Sequence, residues 1–374
     1  MSSASVRIGQ PAVAVETPAL VIDLDALEHN IARMAEFAGA RRLRLRPHAK
    51  THKCAAIARL QLDAGAVGVC VQKVSEAEAL ARAGISDLYL SNEVIDPAKL
   101  ARFAALAGTV RMAIAVDSTL GVDRLAAALK AAGTMAEVFV EVDVGHGRCG
   151  IAPAAAGALA HQVMSHGLRF GGLQAYHGAA QHLRSEAERA AAIAHAIGQA
   201  RAAQASISSA GLACPLVTGA GTGTFIHEAE SGVYGELQAG SYVFMDRDYA
   251  DNAWPATAPR FEHALFVKSQ VMSRGVAHAV IDAGHKSHAI DSGLPRVWQR
   301  ALAFRNGGDE HGILRPLEGG SAAALPALGD TVWLVPGHCD PTVNLHDRLV
   351  AVRGGLQDGI VEAIWNIDAR GCVQ

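Results

Sequence analysis

The sequence predicts an α/β protein, in which a TIM-type (β/α)₈ barrel is followed by a mostly β second domain. Short apolar runs alternate with helix-length amphipathic or Ala-rich stretches through residues 24–254. Eight strands in a repeating β-then-α order are typical of this barrel. Beyond the Pro- and Ala-containing stretch 253–259, the segments become β-like. A doubly wound sheet is the alternative, but no glycine fingerprint follows the first strand, which favours the barrel.

Each predicted barrel strand is a short apolar run, and the stretches between them have helical periodicity. The eight strands are predicted at 43–46, 66–71, 87–90, 110–116, 136–142, 170–175, 215–218 and 238–244. The first helix is predicted over 26–37, with Asp25 as its N-cap. Further helices are predicted at 74–83, 97–107, 125–132 and 154–166.

The second domain is predicted to comprise residues 1–23 and 255–374, with the early run 17–22 supplying one of its strands. Its other segments either alternate or carry β-branched residues, and Gly, Pro and Asp separate them. Its strands are predicted at 265–272, 277–282, 331–334, 348–353 and 360–366.

Composition excludes several classes of function. The 374 residues carry a net charge of −3, with no concentrated basic face for a nucleic acid or an anionic membrane. No apolar run approaches the roughly 20 residues that span a bilayer. Residues 1–15 lack the pattern of a secretory signal. The six cysteines form no CxxC pair, so we expect reduced thiols in a cytoplasmic protein.

The stretch 43–53 carries the first candidate for chemistry. Leucines and arginines alternate over 43–46, Pro47 ends the strand, and Lys50 follows at its carboxyl end. Parallel α/β enzymes place their catalytic groups at such ends, and lysine can hold an aldehyde cofactor as a Schiff base. Taken alone, Arg-Pro-His-x-Lys fits a surface phosphate patch equally well.

The loops after strands five to eight shift the balance towards catalysis. They are 141–150, 174–178, 218–224 and the start of 238–244. A loop rich in glycine and hydroxyls, such as 218–224, offers backbone N–H groups to a phosphate, and barrels often bind phosphate near strands seven and eight. A lysine, an arginine, an aromatic ring and a phosphate site on one rim indicate pyridoxal 5'-phosphate. The predicted cofactor-binding residues are Lys50, Arg148, Tyr176, Gly221, Thr222, Gly223, Gln238, Gly240, Ser241 and Tyr242.

Several motifs in register resemble the alanine-racemase-like, fold-type III pyridoxal-phosphate enzymes, most closely the branch of the D-threonine aldolases and D-serine dehydratases. The matching stretches are 17–31, 46–53, 72–78, 143–150, 173–178 and 336–342. The resemblance implies that Lys50 rather than Lys53 is the Schiff-base lysine, and that Arg148 holds the cofactor's phenolic oxygen. Tyr176 and Gln238 are candidates near the pyridine nitrogen, although the racemases have an arginine where this chain has Gln238. The resemblance also implies a homodimer with sites at the subunit interface.

The stretch 336–342 contains the candidate metal ligands. In a strand, His338 and Asp340 would project on one face and could share a divalent ion, while Cys339 points away. The resemblance implies His-x-Asp in the aldolases and His-x-Cys in the dehydratase-like enzymes. A carboxylate suits Mn²⁺, our preferred candidate, with Mg²⁺ or Co²⁺ as alternatives. The competing interpretation is a solvated histidine beside a turn.

With this resemblance, these groups imply cleavage of D-threonine or a related D-3-hydroxy amino acid to glycine and an aldehyde. A metal ion makes the 3-hydroxyl more acidic, and a neutral histidine can take its proton. His182 is the predicted base and His177 the competitor. The alternatives are a 3-hydroxy-D-aspartate aldolase, a D-serine or D-3-hydroxyaspartate dehydratase, and a pyridoxal-phosphate carrier without catalytic metal.

Overall fold

The computed structural model describes residues 6–374, so residues 1–5 of the predicted second domain lie outside the described part. Strand β1 (Ala19–Asp23) leads directly into helix α1 (Leu24–Ala40). Asp23, not Asp25, caps this helix, because its Oδ1 accepts the N–H of Ala26 at 3.2 Å. The Asp25 carboxylate instead accepts hydrogen bonds from Arg353 and from the backbone N–H of Gly354.

Eight parallel strands follow and form one sheet. They are β2 (Arg44–Leu45), β3 (Val69–Val71), β4 (Asp87–Leu90), β5 (Arg111–Val116), β6 (Glu137–Glu141), β7 (Arg169–Ala175), β8 (Val217–Gly219) and β9 (Glu236–Leu237). Their order is β2-β9-β8-β7-β6-β5-β4-β3. A parallel bridge between His48 and Cys70 joins the two ends of this sheet, and Cys70 N donates to Pro47 O at 2.8 Å. The predicted barrel is therefore confirmed.

Helices cover the outside of the barrel. After α1, they are α2 (Ala55–Asp63), α3 (Val74–Arg82), α4 (Pro97–Leu106), α5 (Thr119–Ala132), α6 (Ala156–Ser165), α7 (Glu186–Ser209), α8 (Phe225–Glu230) and α9 (Arg247–Ala250). Their apolar faces pack on the buried valines, leucines and isoleucines of the strands. The βα loops follow the carboxyl ends of the strands, where barrel enzymes carry their active sites.

The eighth barrel strand lies earlier than we predicted. We predicted it at 238–244, but β9 ends at Leu237, which pairs with Leu45 and Gly219. Residues beyond it leave the sheet because Ser241–Val243 form a 3₁₀ helix. The N–H of Tyr242 donates to Thr222 Oγ1 at 2.9 Å, and the ring turns into the core. Gln238 consequently lies just past the end of a strand.

The second sheet is mostly antiparallel. Its strands are β1, β10 (Leu265–Arg274), β11 (Ala279–Ile281), β12 (Arg296–Val297), β13 (Leu302–Asn306), β14 (Gly312–Pro316), β15 (Thr331–Val335), β16 (Arg348–Arg353) and β17 (Ile360–Asn366). As expected from the sequence, β1 belongs to this sheet, where it pairs with β10 and β16. The mostly β character of the second domain is confirmed. The domain boundaries themselves stay a prediction.

Sequence analysis did not predict strands β12, β13 and β14. It also suggested a strand at His338 and Asp340, where the structure has the start of a helix. Helix α10 (Cys339–Asn344) begins directly after the candidate ligand His338. Within residues 6–374, the structure has no helix that is both long and apolar enough to cross a membrane.

Candidate active site

Lys50 lies in a short 3₁₀ turn, Ala49–Thr51, just beyond the end of β2. Its backbone N–H donates to Nδ1 of His48 at 3.3 Å, which fixes the turn. The side chain lines a cavity of about 180 Å³. Lys53 has a different environment, because its ammonium group is buried in an ion pair with Glu76. The geometry thus leaves Lys50, and not Lys53, facing open space at the barrel mouth.

The cavity is lined by residues from both halves of the chain's barrel. Its wall is formed by His48, Lys50, Thr51, Gln72, Ser91, Arg148, Gln174, Tyr176, Ala220, Gly221, Thr222, Gln238, Gly240, Ser241 and Tyr249. Eight of the ten predicted cofactor residues are in this set. The other two are Gly223, whose N–H donates to Gln181 Oε1 at 2.9 Å, and Tyr242, whose side chain lies in the core.

Lys50 and Asp340 form an ion pair, with 2.9 Å between Nζ and Oδ2. The Asp340 carboxylate raises the pKa of Lys50 despite the opposing effect of burial. Burial acts to raise the pKa of Asp340, but the charges of Lys50 and His338 outweigh it and hold that pKa well below its usual range. Burial and the Lys50 charge also depress the pKa of His48, so this histidine is neutral beside the lysine.

We predicted His338 and Asp340 on a strand, but they lie at the start of α10. Strand β15 ends at Val335, the chain then turns, and His338 is the residue that directly precedes the helix. The two side chains nevertheless converge, with 4.0 Å between His338 Nε2 and Asp340 Oδ1. Two donors with bonds of about 2.1 Å to one ion can have such a separation.

The donor atoms around this point fit a divalent cation. Among the described residues, Oδ1 of Asp340 is buried and accepts no hydrogen bond, which is costly for a carboxylate oxygen unless a ligand satisfies it. No cluster of three or more His, Cys, Asp or Glu side chains that could bind a metal is found in residues 6–374. A cation here would therefore take two protein ligands and complete its coordination with water or substrate oxygens.

The glycines predicted to bind phosphate lie where side chains would not fit. A Cβ on Gly240 would come within 2.9 Å of His48 O and 2.8 Å of Thr51 Oγ1, and one on Gly221 within 2.4 Å of Gln181 Oε1. The hydroxyl-bearing residues Thr222 and Ser241 lie on the same wall. Backbone N–H groups and hydroxyls in such a concave arrangement suit a phosphate.

Arg148 and Tyr176 lie together at the cavity, with the guanidinium carbon 5.4 Å from the ring centroid. Arg148 Nη2 is 4.0 Å from Oε1 of the buried Glu141. Burial and the neighbouring Glu93 raise the pKa of Glu141, so this carboxyl is protonated at neutral pH and leaves the arginine charge available. A cationic group facing the cavity suits the phenolic oxygen of the predicted cofactor.

Gln238 lies at the bottom of the cavity within a network of amides and hydroxyls. Its Nε2 donates to Gln174 Oε1 and to Thr218 Oγ1, both at 2.8 Å. The Tyr89 hydroxyl donates to the same Gln174 oxygen at 2.8 Å. The network contains no charge at Gln238 itself, so the ring nitrogen of the predicted cofactor would meet a neutral amide.

His182 ends a short 3₁₀ helix, Ala179–His182, after β7. Its Nδ1 lies 2.5 Å from Asp248 Oδ2, and Arg184 also pairs with that carboxylate. Because Nδ1 is engaged, Nε2 is left for a reacting proton. The competing histidine, His177, stacks on His146 with 5.9 Å between ring centroids, and its Nδ1 accepts the N–H of Ala180 at 3.3 Å. Neither histidine lines the cavity itself.

Several residues of the site were not among those predicted. Tyr249 lines the cavity, and its ring lies 5.6 Å from that of His182. Asp248 and Asp291 pair with His182 and His338, respectively. The fully buried Asp246 accepts the N–H groups of Tyr249 and Cys339, both at 3.0 Å, and so joins α9 to α10. A sequence signal exists only for Asp246, whose position before a short helical stretch is typical of an N-cap.

This chain is similar to known proteins along nearly its whole length. The family model "Alanine racemase, N-terminal domain" matches residues 22–248, and the "Putative serine dehydratase domain" matches residues 264–352. A D-threonine aldolase from Arthrobacter sp. is 46% identical over 97% of this chain and 95% of its own. A 3-hydroxy-D-aspartate aldolase from Paracoccus denitrificans (strain Pd 1222) is 44% identical over 96% of this chain and 92% of its own.

A solved structure is also similar along the whole length. The crystal structure of D-threonine aldolase from Filomicrobium marinum has a TM-score of 0.95 with this protein at 47% identity, covering 99% of this chain and 100% of the other. Both domains contribute to the match, and the aldolases among these relatives are carbon–carbon lyases. The chain thus belongs to the alanine-racemase-like family and, within it, to the group of D-threonine and 3-hydroxy-D-aspartate aldolases.

Proposed function

We propose that this protein is a pyridoxal 5'-phosphate- and divalent-metal-dependent aldolase that cleaves D-threonine and related D-3-hydroxy amino acids to glycine and an aldehyde. The single observation that carries the proposal is the 2.9 Å approach of Lys50 Nζ to Asp340 Oδ2. It brings the predicted cofactor lysine, which lines the cavity, into contact with the predicted metal ligand, although one lies in a turn of the barrel and the other in a helix that follows a strand of the second sheet. The relatives named for aldolase activity support the same reaction.

The residues present fit both groups. Lys50 would hold the cofactor aldehyde, Arg148 its phenolic oxygen, and Gly221, Thr222, Gly240 and Ser241 its phosphate. When bound, the cofactor supplies an acceptor for the electrons of the broken Cα–Cβ bond, and a cation held by His338 and Asp340 supplies positive charge near the 3-hydroxyl. Mn²⁺ is the cation that we propose, because a carboxylate and an imidazole suit it.

His182 performs the proton transfer in this proposal. Its Nε2 accepts the proton of the substrate's 3-hydroxyl, while the Asp248 carboxylate at Nδ1 stabilises the imidazolium that forms. Arg184 pairs with the same carboxylate and keeps it ionised. Tyr249 packs beside the His182 ring and restricts its orientation.

The closest alternative within the same chemistry is a 3-hydroxy-D-aspartate aldolase, and the similarity to the Paracoccus denitrificans enzyme supports it. A dehydratase is the second alternative, in which the hydroxyl group leaves instead of losing a proton. Asp340 counts against a dehydratase, because the resemblance implies a cysteine at this position in the dehydratase-like enzymes. Cys339 does not substitute for it, since it is fully buried and its N–H is bonded to Asp246.

A product assay tests the proposal. The purified enzyme would be loaded with pyridoxal 5'-phosphate and Mn²⁺ and given D-threonine, D-3-hydroxyaspartate and D-phenylserine in turn. Glycine plus the matching aldehyde supports an aldolase, and the fastest substrate identifies the preferred side chain. Formation of a 2-keto acid and ammonia would show a dehydratase. Activity that is unchanged after chelation would contradict the metal-dependent mechanism.

The matched variant for this assay is Asp340→Asn, which keeps the size of the side chain but removes its charge. We expect an intact cofactor absorbance and a loss of activity at ordinary Mn²⁺ concentrations. The proposal also includes a homodimer with sites at the subunit interface and a cytoplasmic location. Sedimentation velocity of the loaded enzyme tests the dimer, and cell fractionation tests the location.

A further inference from the structure

Asp291 contacts the candidate metal ligand His338 and has no role in the reaction described above. Its Oδ2 lies 2.7 Å from His338 Nδ1. The Ser292 hydroxyl lies 3.3 Å from the same nitrogen and donates to Asp291 Oδ2 at 3.2 Å. The Asp291 carboxylate and the Ser292 hydroxyl thus both contact Nδ1, and the other ring nitrogen of His338, Nε2, faces Asp340.

The segment that carries Asp291 packs against the turn that contains Gly337 and His338. Gly337 makes this close approach possible, because a Cβ at this position would lie 2.1 Å from the backbone oxygen of Gly293. On the other side, Arg247 Nη1 donates to Leu294 O at 2.7 Å and anchors the segment to α9. The position of the Asp291 carboxylate beside His338 is therefore set by packing of the backbone, and not by a free loop.

An imidazole that binds a metal through one nitrogen commonly donates its other N–H to a carboxylate, which sets the tautomer and the ring plane. The contacts of His338 have this pattern. With Nδ1–H donating to Asp291, the lone pair lies on Nε2, and Nε2 faces the Asp340 oxygen that has no hydrogen-bond partner among the described residues. Without Asp291, the Ser292 hydroxyl would still contact Nδ1, but a hydroxyl can donate or accept and would therefore not set the tautomer.

We propose that Asp291 is a positioning residue, which holds His338 through Nδ1 so that Nε2 and Asp340 present a preformed pair of ligands to a divalent cation. This inference rests on the proposed function, because it concerns the cation that the aldolase uses. It adds an outer carboxylate to the site, on a segment that lies outside the stretches 46–53 and 336–342, which carry Lys50 and the candidate cation ligands.

The two candidate histidines of the site, His182 and His338, are held in the same way. His182 is held by Asp248 through Nδ1, and His338 is held by Asp291 through the same ring nitrogen. Among the described residues, Nε2 of neither histidine has a hydrogen-bond partner, and Nε2 of His338 lies 4.0 Å from Asp340 Oδ1. One pair serves the transfer of a proton and the other the binding of a cation, although the two carboxylates come from different domains.

The test is Mn²⁺ binding to Asp291→Ala, Asp291→Asn and the control Glu318→Ala, measured through the electron paramagnetic resonance signal of free Mn²⁺. Asp291 and Glu318 are both exposed, so their replacement should leave the fold intact. We expect the Kd of Asp291→Ala to rise by roughly 10–100-fold. Asp291→Asn, whose amide oxygen can still accept a hydrogen bond from Nδ1–H, should show a smaller rise. Glu318→Ala, which removes a surface carboxylate elsewhere in the second domain, should stay close to the wild type. The cofactor absorbance should not change in any variant.

A second measurement separates orientation from direct coordination by Asp291. In ¹⁵N-histidine NMR of the metal-free protein, the His338 signal is assigned by its loss in His338→Gln, at a pH where the ring is neutral. We expect the Nδ1-protonated tautomer in the wild type and a mixture in Asp291→Ala. Wild-type tautomer populations and Mn²⁺ affinity in Asp291→Ala would overturn the proposal. If the wild-type enzyme binds no Mn²⁺, the metal-dependent function itself fails.

Discussion

Nζ of Lys50 lies 2.9 Å from Oδ2 of Asp340, and this contact joins a turn of the barrel to the first turn of a helix in the second domain. Among the described residues, Lys50 has no other oppositely charged partner within 4 Å. Asp340 has one more, since His338 Nε2 lies 4.0 Å from its Oδ1. The pair therefore marks where the candidate cofactor lysine and the candidate metal ligands meet.

Replacement of Lys50 tests which lysine holds the cofactor. We expect that Lys50→Ala, incubated with pyridoxal 5'-phosphate, lacks the visible absorbance of the protein-bound cofactor. Lys53→Gln is the control, because an amide can still donate to Glu76, and it should retain this absorbance. Circular dichroism establishes that both variants are folded. The opposite result, a band in Lys50→Ala and none in Lys53→Gln, would assign the cofactor to Lys53.

Replacement of the two histidines distinguishes the candidate bases. His182→Ala should lower kcat by roughly 10²–10⁴-fold, as is common when a general base is removed. The cofactor absorbance should persist, since His182 does not line the cavity. His177→Ala should keep kcat within a few-fold of the wild type, because its ring stacks on His146 and its Nδ1 accepts the N–H of Ala180. A large loss in His177→Ala with an active His182→Ala would assign the base to His177.

Gly240→Ala tests the phosphate site. The added methyl group would approach His48 O and Thr51 Oγ1 to less than 3.0 Å, so the backbone beside Lys50 must shift. We expect the affinity for pyridoxal 5'-phosphate to fall by roughly 10-fold or more, equivalent to about 1.4 kcal/mol. Gly198→Ala in α7 is the control, because its Cβ would meet no atom within 4 Å. An unchanged cofactor affinity in Gly240→Ala would argue against phosphate binding here.

Glu228 should make stability depend on pH. Its carboxyl accepts the Thr224 hydroxyl at 2.8 Å beneath the glycine-rich loop, and burial raises its pKa from 4.5 to about 7. The folded state thus binds a proton that the unfolded state has released. The stability that this proton provides is complete below about pH 4.5 and is lost as the pH rises through 7.

Thermal or urea unfolding of the wild type and of Glu228→Gln measures this effect. Between pH 4.5 and about pH 7.5, the wild type should lose roughly 3 kcal/mol of stability relative to the variant, because an amide does not ionise. Glu230→Gln on the exposed side of the same helix controls for the loss of a carboxylate from the surface. Parallel profiles for the wild type and Glu228→Gln would contradict the burial-driven shift.

The sequence predicted well those features that depend on residues close in the chain. Strands β4, β16 and β17 have the predicted bounds, and the position of Lys50 after a strand follows from Pro47 and the preceding alternation. Sequence analysis did not predict β12–β14. β12 has only two residues, which is too short for a pattern, whereas β13 and β14 alternate in burial around a Gly-rich turn, a hairpin signal that was overlooked. It placed the eighth strand too late, because Tyr242, Val243 and Phe244 are as apolar as a strand but are buried in a 3₁₀ turn and its flank.

The contacts that complete the site depend on chain folding and were not predicted. Asp248 lies 66 residues from His182, and Asp291 lies 47 residues from His338. Nothing in the local sequence around either aspartate distinguishes it from the many solvated aspartates of such a chain. The motif that contains His338 and Asp340 was identified, but its strand geometry was wrong because the chain turns into α10 directly after β15.

Asp246 bears on how such a scaffold can be altered. Its two oxygens hold the first turns of α9 and α10 in register, and Arg247 N donates to Pro336 O at 3.0 Å beside it. A chimera that received the second domain of a relative would keep Asp246, and its candidate cation ligands would be aligned with His182 only if the backbone N–H at the position of Cys339 still met this carboxylate. Recombination of whole domains in this architecture therefore has to preserve that contact, whereas a single side-chain replacement elsewhere in the site leaves it in place.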